Sequence, residues 1–173
     1  MLRLLIVFSI SLIMSCDQKE PQKKFPYKTK EQFDQVMIES HQQFLQKEKL
    51  KIEKFTDSLG LEFFKTGTGL QYHISNSTNG DTLKSGDLAA INYLLTTIEG
   101  DTVYQSPKGQ FQEFAVDYDN VESGLHEGIK LMRIGERAIM ILPAHLAHGV
   151  TGDQAAISAQ TTLVYNIHLV GKR

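Results

Sequence analysis

The spacing of apolar residues changes near residue 60, so the chain is predicted to contain two kinds of structure. From Glu31 to Leu59 there is no Pro or Gly, and apolar residues recur every seven positions: Ile38, Leu45, Ile52 and Leu59. This spacing predicts a helix, unbroken or broken once, with an apolar stripe along one side. The stripe can pack on the rest of this chain or on a second copy, because a sevenfold repeat is also a weak coiled-coil pattern.

After Gly60 the apolar residues alternate with polar ones in short stretches, separated by turn sequences such as STNGDTLKSGD. The predicted strands are 70–74, LAAINYLLTTI, TVY, 114–116, ERAIMIL and TTLVYNIHLV. One stretch, SGLHEGIKLMRIG, has helical spacing, with Ser123 as a predicted N-cap, Gly135 as its end and a stripe of Leu125, Ile129 and Met132. Antiparallel strands with one short central helix predict an α+β fold in which that stripe lies on the sheet.

The N-terminus predicts export and a lipid anchor. MLRLLIVFSISLIMSC has a basic residue and an apolar run too short to span a membrane. Its end, Ile-Met-Ser-Cys, resembles a bacterial lipobox, so Cys16 is the predicted lipidation site; an ordinary signal peptide with an incidental cysteine is the alternative. The predicted divisions are a signal peptide (1–15), a lipidated flexible tether (16–30), a helical segment (31–60) and a globular domain (61–173).

Composition and charge narrow the class of protein. Hydrophobic residues make up 41% and charged residues 22%, an ordinary globular mixture. The net charge of -2 gives no nucleic-acid-binding footprint. A single cysteine excludes an intramolecular disulfide, so the core must hold the fold.

The motif LPAHLAHG raises the question of a metal site, because it places His145 and His148 three residues apart. Zinc needs three or four ligands, and no carboxylate or cysteine lies in the motif. We therefore predict no metal and no cofactor. A nucleophilic triad is not predicted either, because the only thiol belongs to the lipidation candidate.

The second half of the chain resembles the FKBP-type peptidyl-prolyl cis-trans isomerases. The family pattern G-W/L-x-E-G-x-x-x-M-x-x-G-E is reproduced by Gly124, Leu125, Glu127, Gly128, Met132, Gly135 and Glu136. PAHLAHG and ISAQTTLVY resemble the family's P-P-E-L-A-Y-G and I-P-P-x-A-T-L-V-F, and GDLAAINYLL and GDTVYQS resemble two further motifs. The resemblance covers residues 69–170. IEKFTDSLGLEFFKTGTGLQYHI, which precedes it, resembles the lipoprotein branch that includes gliding-motility-associated isomerases.

The resemblance implies an antiparallel sheet wrapped around a short central helix, and a peptide pocket. By position, it implies catalytic roles for Tyr93, Tyr104, His148 and Tyr165. The implied substrate pocket adds Gln105, Phe111, Val121, Glu122, Leu125 and Ile157. His148 stands where the family has a tyrosine donor, Gln105 where it has an aspartate, and Glu122 where a backbone N–H contacts the ligand's carbonyl.

The function implied is isomerisation of X-Pro bonds in exported proteins, by a folding helper anchored by lipid at the cell envelope, on either face of the outer membrane. Its partners would be proline-containing polypeptides, with a homodimer through the N-terminal helix as one alternative. A non-catalytic peptide-binding or chaperone lipoprotein using the same groove is the second interpretation, and a structural lipoprotein whose helix recruits a partner is the third.

Overall fold

The structure is a computed structural model that describes residues 29–173. The predicted signal peptide, Cys16 and nearly all of the tether lie outside the described residues. The chain divides into two units, Met1–Glu39 and Ser40–Arg173. Within the described part of the chain, no helix has an apolar stretch long enough to cross a membrane.

The predicted N-terminal helix is confirmed and is unbroken. Helix α1 covers Lys30–Leu59. Its first turn is held by Thr29, whose hydroxyl accepts a hydrogen bond from the backbone N–H of Gln32 at 3.3 Å. Gly60, with φ of +62°, follows directly, a conformation that favours glycine at the end of a helix.

The predicted antiparallel sheet is also confirmed. Its strands are β1 (Phe64–Lys65), β2 (Gln71–Ile74), β3 (Leu88–Thr97), β4 (Thr102–Gln105), β5 (Gln112–Ala115), β6 (Arg137–Leu142) and β7 (Leu163–Lys172). The strand order is β1-β2-β6-β7-β3-β4, and β5 pairs with the first half of β3. The two-residue strand β1 was not predicted, because two residues are too few to show alternation.

The central helix α2 covers Ser123–Ile129 and ends before the predicted limit at Gly135. All three residues of the predicted stripe are buried in the main core, Leu125 and Ile129 on the helix and Met132 in the segment that follows it. The predicted N-cap is wrong. Ser123 is already the first helical residue, and its hydroxyl donates to the carbonyl of Leu146 at 3.3 Å instead.

Two glycines bring α2 close to strand β6. A Cβ on Gly124 would lie 2.6 Å from Cγ of Leu142, and one on Gly128 would lie 2.5 Å from Sδ of Met140. Both distances are far below van der Waals contact, so any larger residue at either position would displace a core side chain of β6. The spacing of four places both glycines on the same face of the helix.

The outer face of the sheet carries a second apolar cluster. Ile52 of α1 is buried there with Ile98, Ile141 and Val164, and Phe55 and Phe63 pack beside them. Glu48, one turn before Ile52, is also buried. Its Oε1 accepts hydrogen bonds from the backbone N–H of Ala144 and from the hydroxyl of Thr162, both at 2.7 Å. Residues of α1 therefore fix the start of the 3-10 turn Ala144–Leu146.

Candidate active site

A cavity of about 350 Å³ opens between the inner face of the sheet, the start of α2 and the loop that follows β6. Its volume is within the range of ligand-binding pockets, about 300–1,000 Å³. Among the residues that line it are Tyr93, Tyr104, Val121, Glu122, Leu125, His148 and Tyr165, all of them predicted from the sequence. The core residues Ile91, Leu95 and Phe114 complete its apolar wall.

Two tyrosines from neighbouring strands form one side of the cavity. Tyr93 on β3 and Tyr165 on β7 face inward, because the residues flanking each one in its strand face the other way. Their ring centroids are 5.5 Å apart and the rings are tilted by 54°. Burial raises the pKa of both phenols, with a further increase from the nearby Glu122 charge. Both hydroxyls are therefore hydrogen-bond donors at any physiological pH.

Glu122 places a buried carboxylate at this cavity, whose lining also includes the acidic residues Glu113 and Asp119. Its side chain is only 8% exposed. One oxygen accepts a hydrogen bond from the hydroxyl of Tyr165 at 2.9 Å, and the other lies 3.1 Å from Nε2 of His148. The buried charge is thus held by two donors, as a buried charge must be. Glu122 links the start of α2 to the last strand and to the loop after β6.

The contact with Glu122 fixes which nitrogen of His148 carries a proton. A carboxylate oxygen can only accept, so Nε2 donates to it. In a neutral ring Nδ1 then has no proton and can only accept. Only a doubly protonated ring can donate a hydrogen bond from Nε2 to Glu122 and a second one from Nδ1 to a bound peptide. The His148 side chain is 30% exposed, so a bound peptide can reach it.

The backbone N–H of Glu122 offers a second donor at the cavity. Within residues 29–173, this N–H has no acceptor, whereas the carbonyl of Glu122 accepts from Leu125 at 2.9 Å and from His126 at 3.2 Å. Glu122 precedes the first turn of α2, where N–H groups lack partners within the helix. The free N–H can therefore bind a carbonyl oxygen of a peptide.

The far side of the cavity is stabilised by a hydrogen bond between Tyr104 and Asp153 that was not predicted from the sequence. The hydroxyl of Tyr104 donates to a carboxylate oxygen of Asp153. The other oxygen of Asp153 accepts from the backbone N–H of Ala155 at 2.9 Å and of Ile157 at 2.7 Å. Asp153 thereby holds the loop before β7 against β4. Its position after Gly152, ahead of a run of small residues, was the available signal, because Asp often bonds to the backbone two residues later.

We predict that Tyr104→Phe raises the pKa of Asp153. The tyrosine hydroxyl, followed by the backbone N–H groups of the loop, lowers that pKa to about 2. A lowered pKa means that the carboxylate stabilises the fold above its unfolded value of about 3.9, and that this contribution is lost as the pH falls towards 2. NMR titration of the Asp153 carboxyl should show the rise in the variant. An unchanged pKa would mean that the loop's own N–H groups account for the shift.

Three predicted pocket residues lie outside the cavity. Gln105 pairs with Leu94 in the sheet, so it faces outward while its neighbour Tyr104 faces inward. Phe111 is 42% exposed, and the guanidinium of Arg173 lies 5.2 Å from its ring centroid. Ile157 is buried in the main core.

On the side of β5, Phe114 and Gln112 line the cavity where Phe111 was predicted. The hydroxyl of Tyr93 donates to the side-chain amide oxygen Oε1 of Gln112 at 3.4 Å.

The histidine pair of LPAHLAHG is divided between two neighbourhoods. His148 contacts Glu122, whereas Nε2 of His145 lies 2.9 Å from the carbonyl oxygen of Thr68. Among residues 29–173, no three His, Cys, Asp or Glu side chains are arranged to hold a metal ion. The motif is thus part of the loop that frames the cavity.

Comparison with known proteins agrees with this geometry. Residues 80–170 match the family described as FKBP-type peptidyl-prolyl cis-trans isomerase. The chain is 30% identical over 119 residues to the FKBP-type peptidyl-prolyl cis-trans isomerase FkpA of Escherichia coli (strain K12), a match that covers 68% of this chain and 42% of that protein. It is 29% identical over 157 residues to FkpA of Buchnera aphidicola, covering 91% of this chain and 62% of that protein.

Solved structures share the fold. The crystal structure of Escherichia coli FkpA matches with a TM-score of 0.62 at 24% identity, covering 82% of this chain and 69% of that one. A peptidyl-prolyl cis-trans isomerase from Pseudomonas syringae matches with a TM-score of 0.63 at 21% identity, covering 76% of this chain and 94% of that one. The chain spans 42% to 62% of the length of the two FkpA proteins.

Proposed function

Because the chain belongs to the family of FKBP-type peptidyl-prolyl cis-trans isomerases, we propose that its cavity binds X-Pro segments of exported proteins and accelerates their cis-trans isomerisation. The observation that carries the proposal is the free N–H of Glu122 beside an apolar wall made by Ile91, Leu95, Phe114 and Leu125. The wall can take a proline ring while the N–H binds a peptide carbonyl.

This arrangement suits a reaction in which no bond is made or broken. The barrier to rotation of a peptide bond, about 18–20 kcal/mol, comes from amide resonance. An apolar cavity strips water from the amide, and a donor can bind the carbonyl better in the twisted state than in the planar one. The tyrosine rings of the cavity would hold the proline ring while the carbonyl turns. No nucleophile or metal is required.

The decisive experiment is a protease-free isomerisation assay on a proline tetrapeptide, using the full chain purified in detergent. We expect the rate to increase above the uncatalysed rate in proportion to protein concentration. Refolding of a client without proline serves as the control, because an isomerase should not accelerate it. A folded protein with no effect on the tetrapeptide would exclude this function.

A second candidate function is binding of unfolded chains without catalysis. The observation that favours it is the Glu122 carboxylate, which puts a charge next to the place where a proline ring would lie. The aggregation of a proline-free client and the tetrapeptide rate together distinguish the two functions. A binding protein would suppress aggregation of the proline-free client and leave the tetrapeptide rate unchanged.

We predict that His148→Phe lowers the isomerase rate about threefold to tenfold, the effect of about 0.5–1.5 kcal/mol from one lost hydrogen bond in the transition state.

His148→Tyr provides the matched test of this role. A phenol can donate a hydrogen bond to the peptide carbonyl in place of the imidazole, so this variant should keep the wild-type rate or exceed it. A His148→Phe variant as fast as the wild type would show that His148 is not the hydrogen-bond donor to the substrate.

We also propose that the protein is lipid-anchored through Cys16 at the cell envelope, on the outer membrane. The support is the apolar run before the only cysteine. Mass spectrometry of the mature N-terminus should show an acylated Cys16, and Cys16→Ser should release the protein or leave it unprocessed. A free Asp17 at the N-terminus would contradict the anchor.

A homodimer through α1 is the last part of the proposal. The support is the set of large apolar side chains that α1 exposes, including Val36, Met37, Ile38 and Leu45. Ile38 and Leu45, seven residues apart, lie on one side of the helix, and a monomer rarely exposes a large apolar patch without a partner. Sedimentation velocity should show a dimer that Ile38→Glu dissociates. A monomer at all concentrations for the wild type would reject it.

A further inference from the structure

A second groove, of about 490 Å³, lies on the outer face of the sheet, away from the candidate active site. Its floor is a row of side chains that pair across three strands: Arg137 on β6, His168 on β7 and Asn92 on β3. Asn166, two residues before His168, lies on the same face. The loop that follows β4 forms the wall and contributes Lys108. We call this site the cationic groove.

The charge of the cationic groove is unbalanced. Arg137 and Lys108 are permanently charged, and no Asp or Glu is among the residues that line the groove. In the part of the chain that the structure describes, neither Arg137 nor Lys108 forms an ion pair, whereas Lys130 pairs with Asp117 and Lys172 pairs with Asp87. The whole chain carries a net charge of -2. A groove that is lined by two cations without ion-pair partners, and by no Asp or Glu, attracts an anion.

The donors of the groove match one class of anion best. The guanidinium of an arginine presents a planar fork to oxygens, and a lysine supplies a point charge from another direction. The amide groups of Asn92 and Asn166 add neutral donors. A carboxylate, with one charge, would leave half of this fixed positive charge unmatched. A phosphomonoester carries about −1.5 to −2 charges at pH 7 and three acceptor oxygens.

We propose that the cationic groove binds a soluble phosphomonoester, with Arg137 and Lys108 as the charged ligands of the phosphate and the two asparagines as neutral donors. Its size, about 490 Å³, is that of a small-molecule site. The groove lies on the face opposite the tyrosines, so it is a separate site and does not depend on isomerase activity.

His168 provides a direct readout of binding. Burial, and then the charge of Arg137, lowers its pKa in the free protein. A bound phosphate would oppose Arg137 and favour the charged imidazole, so the pKa of His168 should rise. His73 on β2 is an internal reference, because it lies outside the groove and its Nδ1 is 2.8 Å from the carbonyl oxygen of Glu62. Its signal should stay unchanged.

The experiment is an NMR titration of the full chain in a maltoside detergent, which contains no phosphate, at constant ionic strength. Inorganic phosphate and glycerol 3-phosphate should give saturable shifts of His168, Asn92 and Asn166. Dimethyl phosphate, with a single charge, should bind at least severalfold more weakly. Arg137→Gln and Lys108→Gln should each weaken binding about tenfold, whereas Lys65→Gln, a matched loss of charge outside the groove, should not.

Several outcomes would overturn the proposal. If phosphate shifts the signals no more than chloride does, the shifts come from ionic strength and not from binding. If Lys65→Gln weakens binding as much as the groove variants do, phosphate responds to the overall charge of the protein and not to the groove. Tighter binding of a glutamate-rich peptide would assign the groove to acidic polypeptides, and displacement of phosphate by phosphatidylglycerol vesicles would assign it to a membrane surface. Amide spectra of the variants should match the wild type, since Arg137 and Lys108 are exposed.

Discussion

Glu48→Ala is expected to lower the free energy of unfolding by about 2–6 kcal/mol, although Glu48 lies on a helix that is otherwise mostly exposed. One carboxylate oxygen accepts from both the Ala144 N–H and the Thr162 hydroxyl. Truncation leaves two buried donors without an acceptor, at about 1–3 kcal/mol each. Chemical denaturation at neutral pH measures the loss.

Glu48→Gln is the matched control, because both hydrogen bonds end on the same oxygen and an amide carbonyl can accept both. We expect it to cost less than about 1 kcal/mol. Glu53→Ala, on the same helix, removes only an exposed pair with Lys49 at 3.7 Å, worth a few tenths of a kcal/mol. If Glu48→Ala is no more harmful than Glu53→Ala, water enters the site and Glu48 does not anchor the turn.

Glu48 also shows which parts of the fold a sequence pattern can predict. Alternation placed β3 and β7 correctly and helical spacing located α2, although not its end, because each of these elements buries one face. On α1 the sevenfold stripe predicted a helix but not which residues it buries. Ile52 is buried, whereas Ile38 and Leu45 are exposed, and the buried polar Glu48 stands between stripe positions. A donor 96 residues away in the chain decides its burial, and no local pattern contains that information.

In the candidate active site too, the sequence pattern predicts residues on regular strands and helices better than residues in loops. Residues on regular elements, such as Tyr93 and Tyr165, fall where the strand period puts them. Gln105 failed as a lining residue because the same period turns it to the outer face. Phe111 and Asp153 lie in loops, where spacing does not determine direction. The partners of Glu122 are 26 and 43 residues away from it, so its hydrogen bonds became visible only in the folded chain.

Tyr165→Ala is expected to have the largest effect on the candidate active site. The side chain is 4% exposed, and its ring packs 5.5 Å from that of Tyr93. Loss of a packed aromatic residue costs about 3–5 kcal/mol of stability, or roughly 6–20 °C in Tm for a chain of this size. Loss of the same ring from the cavity should lower the isomerase rate about tenfold or more. Burial of an aromatic side chain contributes about 1.5–3 kcal/mol, and contact between this ring and the bound proline would contribute part of that energy to the transition state.

Tyr165→Phe separates the two roles of this residue, because it keeps the ring and removes only the hydrogen bond to Glu122. A hydrogen bond to a charged group contributes about 1.5–3 kcal/mol, so Tyr165→Phe should melt earlier than the wild type. Its isomerase rate should stay within about threefold, because the wall against the proline ring is intact. Thermal melts and tetrapeptide rates are therefore measured together at a temperature where both variants are folded. A folded Tyr165→Ala with the wild-type rate would show that the bound proline does not depend on contact with the Tyr165 ring, and would contradict this role of the residue.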